Sequence, residues 1–370
     1  ARPPQGTDPK RSEGTRPDRP ACTSASRRAC ATRGACSRKL SAADARCRAP
    51  APTRPRAPHP ETPLSIALIT NPASGRNKRD RRLRERLLAA LPPGSFDLAP
   101  DGPEGWAPLA EKLLEDAVER VALSGGDGSL HCLLSALLAH APPERWPAVA
   151  LLRTGTMNTL ASNLGLRGRP TDLAAAVATA EPVPVPFLQV GAHAGFLFGV
   201  GVHVAFLEEY YRGRTGPLGA GLLLGRVAAG LVTGSAMARG MLRTTPAIVE
   251  LDGARWPERD WHGVGAGTLP SVGLGFRPCP DTPTAGRLQA YGFGGSPFTI
   301  LGNLPRIRLA KPLRGHGVQQ ALGRALTVTG EEPVGYMLDG DLHRGDTSIT
   351  VEVGGEVRLL QPTGLVRAAL

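Results

Sequence analysis

From residue 64 onward, apolar residues fall into short runs separated by glycine, proline and polar turns. LSIALIT at 64–70 is an uninterrupted apolar, β-prone run that stops at Asn71-Pro72, which predicts a buried strand closed by a turn. DRRLRERLLAALP follows, with Leu83, Leu87, Leu88 and Leu91 on one helical face and Pro92-Pro93 as the stop. The pattern then predicts a helix over 106–119, a strand over 120–124, a helix over 129–140, a strand over 148–152, and a short helix after Thr156. Strand, glycine turn and helix recur three times. That is the grammar of an open, mostly parallel α/β sheet, whose ligands gather at the carboxyl ends of the strands.

After Pro182 the pattern changes. PVPVPFLQVGAHAGFLFGVGVHVAFL reads as short strands with glycine breaks, and one helical stretch covers 219–241. AIVELDG, VGLGF, LQAYGF, ALTVTG and SITVEV then predict a mostly antiparallel β region. The segment 357–366 is expected to return to the first sheet. The fold class is therefore α/β plus β: residues 61–183 with about 357–370 as an open α/β domain, and 184–356 as an antiparallel β domain.

Charge refines this division. The chain carries 44 Lys/Arg and 32 Asp/Glu, a net of +12. Of these, 14 basic and 4 acidic residues lie in residues 1–60, so the body is nearly neutral. The first 60 residues are rich in Arg, Pro, Ala and Ser and poor in large apolar residues, which predicts a disordered basic tail. A nucleic-acid reading needs basic residues on a folded face, so none is expected. The opening stretch lacks the apolar core of a secretory signal, and no run approaches the ~20 apolar residues of a membrane helix. The expectation is a cytoplasmic protein, peripheral at the inner membrane face; a homodimer is left open. Cys22, Cys30, Cys36 and Cys47 are not spaced as paired zinc ligands, and Cys132 and Cys279 stand apart in the body; reduced thiols are expected.

The candidate chemistry lies in three turns that follow strands. They are Asn71-Pro72-Ala73-Ser74-Gly75, Gly125-Gly126-Asp127-Gly128-Ser129 and Gly155-Thr156-Met157-Asn158. Glycines let backbone N–H groups approach a phosphate, and a helix N-terminus favours its negative charge. Ser74, Ser129, Thr156 and Asn158 add short side chains able to donate to phosphate oxygens. A single GGDG is a tight turn in most proteins; three such turns at equivalent sheet positions argue for a nucleotide site. No G-x4-G-K-[ST] occurs, so this is not a P-loop.

NPASG, SGGDGS and GTMNTLASNLGL, in this order, resemble the signature of the diacylglycerol kinase catalytic domain, a superfamily that includes bacterial lipid kinases and eukaryotic sphingosine kinases. Gly335-Tyr336-Met337-Leu338-Asp339-Gly340-Asp341 is similar to the family's terminal Asp-Gly-Glu motif, with Asp341 in place of Glu. The resemblance spans about residues 64–366. It implies an NAD-kinase/diacylglycerol-kinase-like α/β domain, a β-sandwich lipid domain, and ATP with Mg²⁺ in the cleft between them. It makes Asn71 to Gly75, Gly125 to Ser129, Gly155, Thr156 and Asn158 the nucleotide loops. Asp339 or Asp341 becomes the general base, and Asp127 a further candidate for proton transfer or for organising Mg²⁺. The reaction implied is phosphoryl transfer to a hydroxyl of a membrane lipid, with diacylglycerol or a related lipid alcohol as acceptor.

Each of these residues also has a structural reading. Asp-Gly is a strong hairpin signal, and Asp127 could simply fix its own turn. His131, His193 and His203 show no metal-ligand spacing and are expected to pack. The chain also departs from the family. His131 and Cys132 stand where an Asn-Glu pair is usual, Arg153 replaces a Pro, Pro100 replaces a Thr, and the loop around 284–289 lacks the acids that hold a structural metal. Arg153 is read equally as phosphate charge or as a strand cap. Two other readings remain: a catalytically silent lipid- or nucleotide-binding regulator, favoured by the missing Glu, and NAD kinase, which shares GGDG but not GTMN.

Overall fold

The computed structural model describes residues 64–213, 216–282 and 286–366. The expectations for residues 1–60, including the four cysteines there, and part of the 284–289 loop lie outside the described residues.

The first half alternates strands and helices: β1 (Ile66–Thr70), α1 (Gly75–Arg79), α2 (Leu83–Ala90), β2 (Phe96–Leu98), α3 (Trp106–Glu115), β3 (Arg120–Ser124), α4 (Asp127–His140), β4 (Ala148–Leu151), α5 (Thr159–Asn163) and α6 (Pro170–Ala175). The second half holds β5 (Glu181–Val190), β6 (His193–Gly195), β7 (Leu197–Gly201), α7 (Val202–Arg212), α8 (Pro217–Thr233), α9 (Ala236–Met241), β8 (Thr245–Leu251), β9 (Ala254–Arg255), β10 (Asp260–Gly267), β11 (Leu288–Gly294), α10 (Phe298–Arg308), β12 (Val318–Gly323), β13 (Ala325–Gly330), β14 (Gly335–Leu338), β15 (Asp341–Arg344) and β16 (Ser348–Gln361).

Strands β2-β1-β3-β4 are parallel, and β16 joins them alongside β4 through Leu359 and Val149. All five residues of β1 are buried, and its side chains serve both faces. Ala67 and Ile69 pack with Trp106, Leu113, Leu130 and Leu134 of α3 and α4, while Ile66 and Leu68 pack with Leu83, Leu87 and Leu173 of α2 and α6. Helices on both faces explain why these strands read as continuous apolar runs rather than alternating ones. The remaining pairs are antiparallel: β5 and β13 on β16, β8 on β13, and a neighbouring set in the order β15-β14-β7-β10-β11-β12. Leu188, Phe198, Val249, Trp261, Val264, Leu326 and Val351 share a second core. The 14-residue β16 takes part in both regions, and Leu166 bridges to Val366 at the chain's end.

Four local expectations needed correction: VGLGF at 272–276, read as a strand, forms only an isolated bridge between Gly273 and Phe276. The stretch read as strands after Gly201 turns into α7, because Gly201 (φ 67) ends β7 and Val202, Ala205, Phe206 and Tyr210 recur at helical spacing against Leu223 and Val227. The helix expected over 219–241 is two helices. Gly234 (φ 72) closes α8, and the Ser235 hydroxyl accepts from Ala238 N–H at 3.2 Å to start α9. Finally, α10 was not expected, since Gly302 and Pro305 lower its helical propensity. Burial of Ile307 and the Asn303 side chain, which donates to Arg314 O at 2.7 Å, hold it in place.

Candidate functional site

The three glycine turns sit side by side at the carboxyl ends of β1, β3 and β4. Gly126 and Gly155 touch backbone to backbone: a Cβ on Gly155 would lie 2.3 Å from Gly126 Cα, and one on Gly126 would lie 3.0 Å from Gly155 Cα. A Cβ on Gly125 would lie 2.4 Å from the Ser129 side chain. These glycines are thus demanded by the approach of one turn to the next, before any ligand is considered. A web of polar bonds ties the turns together. Asn71 Nδ2 donates to Ser129 Oγ at 2.8 Å, and Ala73 N–H donates back to Asn71 Oδ1 at 2.9 Å. Ser74 Oγ and Arg76 N–H both donate to Thr154 O. Asn77 Nδ2 donates to Asn71 O and Ser124 O, while Ser124 Oγ donates to Asn77 Oδ1 at 3.0 Å. Sequence reasoning missed Asn77, Ser124 and Thr154, because single polar residues beside a glycine turn carry no motif.

Several side chains expected to donate to phosphate are therefore already occupied. Ser129 is buried, and its oxygen accepts from Asn71. Asn158, at φ 50, folds back on its own turn, accepting from Gly155 N–H at 3.0 Å and donating to Gly155 O at 2.9 Å. Ser74 is directed to Thr154. Pro72, Ala73 and Thr156 are exposed. The N-terminus of the 14-residue α4, at Asp127 and Gly128, offers the unpaired N–H groups and positive dipole end that suit an anion.

Asp127 reaches across to the third turn. Its Oδ2 accepts from Thr159 N–H at 2.8 Å and its Oδ1 from Leu160 N–H at 3.0 Å, so one carboxylate caps α5. A cation at Asp127 would have to share oxygens already engaged in this cap.

Arg153 holds a left-handed backbone (φ 52). Its Nη1 donates to Leu166 O at 2.9 Å, while its buried Nε has no partner. Burial lowers its pKa first, and the neighbouring Arg167 and Arg76 lower it further. Arg153 thus caps a carbonyl, and with Arg76 and Arg167 it forms a group of guanidiniums beside the turns that makes no ion pair among the described residues.

The Asp-Gly motif forms a two-residue hairpin between β14 and β15. Asp339 (φ 52) and Gly340 (φ 98) both take positive φ, as a type I′ turn requires, and Leu338 pairs with Asp341. The hairpin separates the two acids. Asp339 turns inward: Phe196 N–H and Leu197 N–H both donate to its Oδ1 at 2.9 Å, and its own N–H donates to Leu197 O. Burial pushes its carboxyl up to about 8 against those two donors, with the charges of Asp127 and Asp341 adding to the rise. Asp341 faces the other way, towards α4. Its Oδ2 lies 3.7 Å from where a Gly128 Cβ would stand, and its charge raises the pKa values of Cys132 and Tyr211. Tyr211, from α7, donates to Gly340 O at 2.7 Å. Cys132, where the family carries Glu, has its thiol pushed up to about 11, first by burial and then by Asp341. It stays a neutral thiol and supplies no carboxylate.

The histidines divide. His203 packs as expected, with Nε2 2.9 Å from the Tyr291 hydroxyl and Nδ1 3.1 Å from Val200 O. His131 and His193, by contrast, meet His343. Burial lowers the pKa of His131, and takes His343 down to about 4 with help from both other rings. In the loop near 284–289, Gln289 bonds Asp281, donating to Asp281 Oδ2 at 2.8 Å.

Residues 65–190 match the diacylglycerol kinase catalytic domain, and all three glycine turns fall inside that stretch. The eye-specific diacylglycerol kinase of Drosophila melanogaster is 35% identical over 110 residues, which are 30% of this chain and 7% of that protein. Among solved structures, a candidate diacylglycerol kinase from Bacillus anthracis str. Sterne superposes with a TM-score of 0.65 at 16% identity, covering 82% of this chain and 98% of its own. A second B. anthracis str. Sterne structure, described as a diacylglycerol kinase, gives a TM-score of 0.56 at 14% identity over the same shares. These two likenesses show the shared fold: an open α/β half followed by an antiparallel strand region. The resemblance carried by the three turns is borne out over residues 65–190, the stretch that matches the diacylglycerol kinase catalytic domain.

Proposed function

We propose that this protein is an ATP-dependent lipid kinase that transfers the γ-phosphoryl group of ATP to a hydroxyl of a membrane lipid, with diacylglycerol or a related lipid alcohol as acceptor. The observation that carries this reading is one convergence. Three hydrogen-bonded turns, two of them in backbone contact at Gly126 and Gly155, gather beside the N-terminus of α4, and a carboxylate, Asp341, has its Oδ2 3.7 Å from where a Gly128 Cβ would stand. Phosphoryl transfer asks for alignment and charge neutralisation more than for covalent help. Backbone N–H groups of the turns, with Thr156, would hold the phosphates. Arg153, Arg76 and Arg167 would balance their charge. Mg²⁺ would arrive as part of the nucleotide substrate and would help neutralise the phosphate charge.

In the step itself, the lipid hydroxyl oxygen forms a bond to the γ-phosphorus and the bond from that phosphorus to the β–γ bridging oxygen breaks. ADP leaves, and the hydroxyl proton passes to Asp341. Asp341 is preferred over Asp339 because Asp339 is enclosed, holds two backbone N–H groups, and is pushed towards its protonated form. Asp127 acts as a positioning residue, fixing α5 against the GGDG turn.

No helix among the described residues is long and apolar enough to cross a membrane. Leu218 and Leu222, one turn apart on α8, are 85% and 61% exposed, and Val232 is 74% exposed. Such a surface suits contact with lipid, so peripheral membrane association belongs to the proposal. The division into an ATP domain at 61–183 with 357–370 and a lipid domain at 184–356 does too; on this reading the long β16 crosses the boundary.

The test is transfer of label from γ-labelled MgATP to diacylglycerol, monoacylglycerol, phosphatidylglycerol, sphingosine and ceramide in mixed micelles. Label in one of these supports the proposal. ATP binding without label in any lipid contradicts it and favours the silent-regulator reading, to which the neutral Cys132 thiol would then point.

A further inference from the structure

Three histidines far apart in sequence come together beside Asp341. His131 lies on the first turns of α4, His193 opens β6, and His343 lies two residues after Asp341, on the same face of β15. One ligating atom from each lies within 4.8 Å of the other two. The ring centroids of His193 and His343 are 4.3 Å apart, those of His131 and His343 5.6 Å, and those of His131 and His193 6.0 Å. Packed imidazoles usually satisfy their nitrogens on carbonyls or hydroxyls, as His203 does. Here His131 Nδ1 and His343 Nε2 are buried and have no hydrogen-bond partner. Two orphaned ring nitrogens in one cluster are costly unless something binds them.

We propose that His131, His193 and His343 form a binding site for a borderline divalent transition metal of the zinc class. Neutral imidazole nitrogen is a preferred donor for such ions, and three histidines with one open position is an established zinc geometry. Tetrahedral ligation at ~2.0–2.1 Å per nitrogen sets the nitrogens roughly 3.4 Å apart. From separations of at most 4.8 Å, that contraction is within reach of side-chain rotation. The supports are firm. His343 stacks on Tyr336 at 4.9 Å and 14°, and Ala194 N–H donates to Ser135 Oγ at 3.0 Å, pinning β6 to α4. A bound ion would join α4, β6 and β15 next to the carboxylate proposed as base. The site does not depend on the kinase reading, and its ligands are not those of the glycine turns.

The experiment is titration of the chelator-treated full-length protein with Co²⁺, read by visible d–d absorption, followed by displacement with Zn²⁺. The same titration is run on His193→Gln and His343→Gln. The cysteines at 22, 30, 36 and 47 could also take up metal, but a cobalt–thiolate site carries its own charge-transfer band. The site predicts one equivalent of tetrahedral cobalt without thiolate absorption, displaced by zinc and lost in both variants. Zinc should also raise the melting temperature of the parent and not of the variants, provided the metal-free variants melt close to the parent. Should a variant fail to fold, the stoichiometry and spectrum of the parent decide. Absence of a thiolate-free equivalent in the parent, or its persistence in both variants, overturns the proposal.

Discussion

The contact between Gly126 and Gly155 can be tested by adding one methyl group. In Gly155→Ala, the new Cβ would lie 2.3 Å from Gly126 Cα and 3.1 Å from both Gly126 N and Asn158 Oδ1. The nearest neighbour is backbone, and ordinary contact begins near 3.4 Å, so the GGDG turn must move by about 1 Å. That shift strains the bonds joining the turns, including Asn71 to Ser129 and Asp127 to Thr159. Overpacking of this kind costs about 1–3 kcal/mol. At roughly 2–4 °C per kcal/mol for a domain of this size, the melting temperature should fall by about 2–12 °C. The control is Gly221→Ala in α8, where a Cβ meets nothing within 4 Å and helix propensity favours alanine by up to ~1 kcal/mol. Differential scanning fluorimetry with and without MgATP reads both consequences. Gly155→Ala should lose stability and most of its nucleotide-induced shift, while Gly221→Ala should keep both. A Gly155→Ala protein that melts with the parent, with an undiminished ATP shift, would refute the claim that the turns must touch.

Other consequences follow from single contacts. Asp127→Ala removes the cap of α5 and should cost about 0.5–2 kcal/mol, measured by urea unfolding; no change would show that the cap does not hold α5. Asp339 is a carboxyl whose folded pKa, about 8, lies above its ordinary 3.8, so the folded state binds more protons between those values and stability should fall as pH rises through that window. In Asp339→Asn the side-chain oxygen can still accept from Phe196 and Leu197, so thermal melts from pH 5 to 8 should show a flatter slope than the parent; equal slopes would refute the assignment. Arg153→Met should weaken MgATP binding roughly tenfold and reduce its salt dependence, as loss of one half-buried guanidinium beside the proposed phosphate site predicts; isothermal titration at two ionic strengths checks this.

The parallel half was legible in the sequence because its strands are buried on both faces: β1, β3 and β4 are short apolar runs that each end at a polar or glycine turn. The positions of the glycine turns were legible too, but the reason for two of the glycines was not. Gly126 and Gly155 were read as leaving room for phosphate, whereas the structure shows them leaving room for each other. Such a contact is made by residues 29 apart and has no local signature. The same limit hid the three histidines, whose spacing of 62 and 150 residues matches no ligand pattern although the fold brings them together. Helix α7 was missed because its apolar start, VHVAFL, continued the preceding strand pattern, and α10 because Gly302 and Pro305 lowered a propensity that packing overrode. The Asp-Gly pair forms the hairpin its sequence signalled, and the turn geometry separates the two acids: Asp339 serves the backbone and Asp341 faces α4.

That separation makes the most direct measurement a comparison of Asp341→Asn with Asp339→Asn in the γ-phosphoryl transfer assay, each variant first checked for its melting temperature and MgATP affinity. The account predicts that Asp341→Asn binds MgATP and folds like the parent yet loses kcat by about 10²–10⁴-fold, the usual worth of a general base. Asp339→Asn should retain most of its kcat. The reverse pattern, or full activity in Asp341→Asn, would contradict the account.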